Sequence, residues 1–120
     1  MKDQEILQKL RSIFLECQQQ ALVLIKHHPL ANHGFVADMQ FASTYGTFLA
    51  NIKMRHGIDL EANSIAQKLL HSIKKNDTHS ISQIRTEIYQ ALDKIPTEQI
   101  ASYIFLTCFP SIYESMMSEK

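Results

Sequence analysis

The sequence is poor in residues that break or cross-link a chain. Its 120 residues include three glycines, three prolines, two cysteines and no tryptophan. Few glycines and prolines are typical of helices joined by short turns. Gly34, Gly46 and Gly57 stand too far apart to form a phosphate-binding loop, and no Gly-x-Ser-x-Gly elbow marks a serine nucleophile. These absences disfavour phosphate-loop enzymes and serine hydrolases.

Charge of neither sign predominates. Twelve basic residues balance twelve acidic ones, whereas nucleic-acid binders usually carry a basic excess that neutralises phosphate. No apolar secretory segment follows the start, and the longest uncharged run of the first half, residues 39–52, is too short and too polar to span a membrane. Cys17 and Cys108 fall on apolar helix faces, so we expect buried, reduced thiols. We therefore expect a cytoplasmic protein with no nucleic-acid partner and no membrane span.

Apolar residues recur at three- and four-residue steps along most of the chain, which predicts one all-α domain over residues 1–120. No period-two pattern indicates a strand. We expect an antiparallel bundle of five to six helices, with the second and fifth innermost. The predicted helices cover residues 3–26, 35–56, 59–75, 80–95 and 97–110, with a final short helix over 112–117.

The second predicted helix has a broad apolar side and a stripe of small residues, Ala42, Gly46 and Ala50. Glycine in a helix interior costs about 1 kcal/mol relative to alanine, so close packing of a neighbouring helix is a natural reason to keep Gly46. Gly57 is predicted to end this helix in the left-handed conformation. The only polar sector of this second helix consists of Gln40, Thr44, Thr47 and Asn51.

Capping residues predict where the next helices begin. Asp59 is expected to cap helix three. Ser80 is expected to begin helix four, with Gln83 at the spacing of a capping box. Pro96 should break helix four, and Pro110 should end or kink helix five.

The six histidines are the first candidates for chemistry. His27, His28 and His33 surround one predicted loop, and three imidazoles could bind zinc or another transition metal. Adjacent helical side chains point about 100° apart, however, and the loop contains no cysteine, aspartate or glutamate. We therefore predict no metal and no cofactor, and we interpret these histidines as a basic helix end followed by polar loop residues.

The tetrapeptide His71-Ser-Ile-Lys74 lies on predicted helix three. It resembles the His-x-x-Lys core of histidine phosphotransfer domains, which are helical bundles of similar size. The resemblance covers this tetrapeptide alone. It implies that His71 would accept a phosphoryl group and that Lys74 would support its charge.

The C-terminal quarter carries the strongest indication of function. Residues 99–113 contain no charge, and their apolar side chains cover nearly every side of a helix. One small bundle would have to hide both this helix and the second one, and large exposed apolar patches usually mark partner sites. Methionine pairs are typical of adaptable surfaces. The predicted binding face consists of Tyr103, Leu106, Phe109, Tyr113, Met116 and Met117.

The sequence thus predicts a non-catalytic protein-binding module of the adaptor, immunity/antitoxin or secretion-chaperone type. Its partner would be another protein or a second copy of the chain in a homodimer. Enrichment of the predicted face in tyrosine, phenylalanine and methionine fits the composition of interface cores. The alternatives are a small-ligand-binding or regulatory domain, with an apolar pocket between helices two and five, and a phosphotransfer domain that uses His71.

Overall fold

The structure is a computed structural model, and it describes residues 2–26 and 35–118. These residues form six α-helices and contain no strand, which confirms the predicted all-α bundle. A single 3-10 turn, Thr97–Gln99, precedes the fifth helix. The helices are α1 (Lys2–Lys26), α2 (Phe35–His56), α3 (Ile65–Lys74), α4 (Thr78–Leu92), α5 (Ile100–Cys108) and α6 (Pro110–Ser118).

The C-terminal end of α2 follows the prediction from sequence. Gly57 has a φ of 63°, and its amide donates to the carbonyl of Lys53 at 3.0 Å. A glycine adopts this left-handed conformation without the steric penalty that a β-carbon would bring. Ile58 then turns back and packs, half-buried, against the core.

The predicted start of helix three at Asp59 is wrong. Ser64 is the N-cap, and its hydroxyl accepts a hydrogen bond from the amide of Gln67 at 3.1 Å. The residues before it are held in a non-helical connection by tertiary contacts. The amide of Glu61 donates to the carbonyl of Cys108 at 3.2 Å, and Leu60 is buried in the core. Contacts made far along the chain therefore override a local capping signal.

The predicted start of helix four at Ser80 is also wrong, because Asp77 is the N-cap. Its carboxylate accepts from the hydroxyl of Ser80 at 2.8 Å and from the amide of Ser80 at 3.2 Å. These two hydrogen bonds lower the pKa of Asp77. Ser80 thus donates hydrogen bonds to the N-cap instead of being the N-cap, and the cap lies three residues earlier than predicted.

The core is built mainly from α1, α2, α4 and α5. The largest fully buried side chain is Tyr45 of α2, whose hydroxyl lies 2.6 Å from Thr107 Oγ1 on α5. Thr107 in turn donates to the carbonyl of Ile104 at 2.6 Å, so the Tyr45 hydroxyl is the donor to Thr107. Both buried hydroxyls are therefore satisfied where α2 faces α5, the place where the sequence predicted an apolar pocket.

Only one of the two predicted innermost helices holds that position. No residue of α5 is exposed, and six of its nine are buried. Along α2, in contrast, Val36, Ser43, Ala50 and Met54 are exposed and form a side open to solvent. Ala50 therefore takes no part in the close helix contact that the small-residue stripe predicted.

The close contact itself is centred on Gly46. A β-carbon built at Gly46 would lie 2.8 Å from Cδ1 of Ile73, so α3 packs directly on this backbone. This atom is the end of the flexible Ile73 side chain, which can turn away from a single methyl group at residue 46. A longer side chain at residue 46 would have no room. This contact confirms the packing reason that the sequence indicated for Gly46.

We expect Gly46→Ala to change the free energy of unfolding by less than about 1 kcal/mol, because the helix propensity gained offsets the displacement of Ile73. Gly46→Leu should destabilise the protein by about 1–3 kcal/mol through overpacking. Urea unfolding followed by circular dichroism measures both. Ala50→Leu is the matched control, since residue 50 is exposed on the same helix, and it should stay within about 0.5 kcal/mol of the parent. Equal stability of the Gly46→Leu and Ala50→Leu variants would contradict the contact.

Candidate functional site

The structure separates the predicted binding face into buried and accessible parts. Met116 and Met117 are 53% and 52% exposed on α6, and Tyr113 beside them is half-buried. Tyr103 and Leu106 are half-buried on α5. Burial raises the pKa of the Tyr103 hydroxyl, and the negative charge of Glu87 on α4 adds to the shift. The accessible part of the predicted binding face therefore consists of three residues on α6, Tyr113, Met116 and Met117, and two residues on α5, Tyr103 and Leu106.

Phe109 does not belong to this face, and its prediction as a partner contact is wrong. Its side chain has no exposed area. It lies at the break between α5 and α6, where its amide donates to the carbonyl of Phe105 at 2.9 Å. The two rings pack with their centroids 5.2 Å apart. Phe109 lies four residues after Phe105, on the buried side of α5, so its ring points into the core.

Seven of the fifteen residues in the uncharged segment that the sequence singled out are buried. Within α5, only Ser102, Tyr103 and Leu106 are partly exposed. By contrast, α6 has no buried residue. The buried residues of the segment are Ile100, Ala101, Ile104, Phe105, Thr107, Cys108 and Phe109.

The first turn of α6 is anchored by Glu61, which lies within the predicted range of helix three. Its two carboxylate oxygens accept from the amides of Ser111 at 2.9 Å and Ile112 at 3.3 Å. A carboxylate at this position satisfies amides that have no partner within the helix and complements the helix dipole. Pro110 at the first helical position was the available signal that a helix starts here. The connection between α2 and α3 thus fixes the direction of α6.

Other exposed apolar side chains lie outside the predicted face. Leu15 and Leu22 are 60% and 69% exposed, and they stand seven residues apart on the outer side of α1. The buried apolar residues of α1 lie on the other side of the helix and are Ile13, Cys17, Ala21 and Leu24. The remaining exposed large apolar residues are Ile6, Leu7, Phe35, Val36 and Met54.

Both thiols are buried and free, as predicted. Desolvation by burial raises the pKa of Cys17 far above its ordinary value, and neighbouring Cys108 and Glu16 add to the effect. Burial also raises the pKa of Cys108 to about 12, although its contact with Thr107 opposes the shift. Since the thiolate is the nucleophilic form, neither cysteine is suited to catalysis.

We therefore expect the native protein to react with Ellman's reagent at mildly alkaline pH far more slowly than the unfolded protein, which should release two thiol equivalents per chain. Absorbance of the released thiolate measures both rates. The same protein in concentrated guanidinium chloride serves as the control. Rapid reaction of either thiol in native protein would contradict the burial described above.

Of the two histidine sites considered from the sequence, the structure describes the one at His71. His71 is exposed on α3 and lines a shallow groove between α3 and α4 with Lys68 and Ser80. Lys74 is the last residue of α3, so the helix does not continue beyond the motif. The cluster of His27, His28 and His33 lies outside the described residues. Within the described ranges, no group of three or more histidine, cysteine, aspartate or glutamate side chains is placed to hold a metal ion.

Comparison with known proteins adds no functional information. Family models, curated proteins and solved structures all gave no match to this chain. Among the helices that the structure describes, none combines the length and the hydropathy that crossing a bilayer requires.

Proposed function

We propose that this protein is a non-catalytic protein-binding module that acts through the exposed side of α6 and the partly exposed side chains of α5. The binding face, as corrected by the burial of Phe109, consists of Tyr103, Leu106, Tyr113, Met116 and Met117. The observation that carries the proposal is the exposure of two methionines on a helix with no buried residue.

Two features of α6 support this proposal. Tyr113, Met116 and Met117 are spaced three and four residues apart, so their side chains project from one side of the helix. The Glu61 carboxylate holds the first turn, which leaves less conformational entropy to be lost when a partner binds. The chemistry of the surface also fits, since aromatic residues and methionine are enriched in interface cores.

The test is affinity capture from the native host with three forms of the protein. The parent and the Met116→Ser/Met117→Ser variant differ only at the proposed face. Met54→Ser is the matched control, because Met54 is 81% exposed on α2, outside that face. We expect a prey protein that binds the parent and Met54→Ser forms and loses at least about tenfold in affinity for the double variant, since two anchoring side chains are removed.

Sedimentation of the purified protein separates the two kinds of partner. A dimer that the double serine variant abolishes would identify the partner as a second copy of the chain. A monomer would leave another protein as the partner. Identical prey and identical mass for all three forms would contradict a binding face on α6.

A further inference from the structure

A second surface, between α1 and α2, has the features of a small-molecule site. A groove of about 290 Å³ runs between these helices, at the lower end of the size range of ligand pockets. The polar sector of α2 opens onto it through Thr44, Thr47 and Asn51, and Gln20 lines it from α1. The sequence indicated this polar sector but not what it faces.

Gln20 is the unusual residue of the groove. It is only 7% exposed, and its amide nitrogen is buried with no hydrogen-bond partner among the described residues. A buried amide without a partner is destabilising, and most proteins avoid it. It is the only buried side-chain nitrogen or oxygen in the described part of the chain with this property. The nitrogen itself is closed off from solvent, so an acceptor on a bound molecule would satisfy it only after the Gln20 side chain turns towards the groove.

Charge restricts the class of ligand. The two charged residues that line the groove, Glu16 and Arg55, neutralise each other through a contact of 3.2 Å. The second oxygen of Glu16 lies 2.5 Å from Nε2 of His56. Each oxygen of the carboxylate therefore already has a partner, and the charges of Glu16 and Arg55 compensate each other at the groove.

The remaining lining offers hydroxyl and amide groups that both donate and accept, beside the apolar surface of Phe48 and Val23. We propose that this groove binds a small uncharged molecule through a carboxamide or lactam group, with Gln20 as the hydrogen-bond donor to its carbonyl oxygen. The apolar part of the molecule lies against Phe48. This site is separate from the α6 face, so it holds or fails independently of the proposed protein-binding function.

Titration of ¹⁵N-labelled protein with nicotinamide and 2-pyrrolidone tests the proposal, with acetate and ethylammonium as charged probes. We expect saturable shifts of the side-chain amide signals of Gln20 and Asn51 with the two neutral amides, and none with the ions. Gln20→Met should weaken binding by at least about tenfold, because it removes the donor and keeps the length of the side chain. Without any probe, the same variant should raise Tm by about 5 °C, since a buried unpaired amide is gone.

Gln18→Met is the matched control, because Gln18 is exposed on the same helix. It should change neither the binding nor Tm. Three results would overturn the proposal: no saturable shift with either neutral amide, equal binding by Gln20→Met, or stronger shifts with the charged probes. An unchanged Tm for Gln20→Met, together with a long-lived water contact at the Gln20 amide, would also overturn it, because the donor would then be satisfied by solvent.

Discussion

Replacing Phe109 with alanine should lower the free energy of unfolding by about 3–5 kcal/mol. The ring has no exposed area and packs against Phe105 at the break between α5 and α6. Removing it deletes buried apolar surface and leaves a cavity that a close-packed core fills only in part. For a domain whose total stability is of the order of 5–15 kcal/mol, this loss is large. Urea unfolding followed by circular dichroism measures it.

The control is Met117→Ala, which removes an apolar side chain that is 52% exposed. It should shift the unfolding free energy by no more than about 0.5 kcal/mol. Similar losses of unfolding free energy for the two substitutions would indicate that Phe109 is exposed, as the sequence predicted. The comparison also matters for mapping the partner site. A Phe109 variant that no longer binds its prey has lost stability, and not a direct contact with the partner.

The second large effect should come from Arg85→Met, which we expect to destabilise the protein by about 3–5 kcal/mol. Asp38 on α2 and Arg85 on α4 form an ion pair at 3.5 Å, and each side chain is only 11% exposed. The guanidinium also lies over the ring of Tyr89, 5.4 Å from its centroid. Methionine keeps an apolar chain of similar length but leaves the Asp38 carboxylate buried without this cation.

Chemical unfolding of the single variants and of Asp38→Asn/Arg85→Met measures the coupling between the two residues. The double variant should be destabilised by less than the sum of the single variants, because no buried carboxylate is left to compensate. Lys53→Ala is the comparison, since the Lys53–Asp59 pair is 64% and 82% exposed, and such pairs contribute about 0–1 kcal/mol. Strictly additive losses in the double variant would show that the two charges do not depend on each other.

Much of the fold could be predicted from local patterns. The bounds of α2 at residues 35 and 56 follow from its apolar spacing and from Gly57, and the structure has the same bounds. The burial of Cys17 and Cys108 follows from their places on apolar stripes. In each case the deciding interactions lie within a few residues of one another, so the sequence contains them directly.

The candidate sites could be predicted only in part. Glu61 falls within the predicted range of helix three, yet it caps α6 through Ser111 and Ile112, some fifty residues away. Gln20 occupies an ordinary helical position, and only the packing of other helices against α1 makes it a buried amide. Phe109 looked like its neighbours on an apolar helix, and only the packing of α5 showed that it lies with Phe105 on the buried side.

The sequence by itself determined that the protein is an all-α bundle. It also determined the extent of the two long helices and the burial of the two thiols. Periodicity and capping are local properties of the sequence, and the hydrophobic effect favours burial of an apolar helix face in any packing arrangement. Only the tertiary structure decided which apolar residues stay exposed, where α3 begins and which polar groups are buried without a partner. These outcomes depend on how helices pack against one another, because burial and hydrogen-bond partners are properties of neighbours distant along the chain.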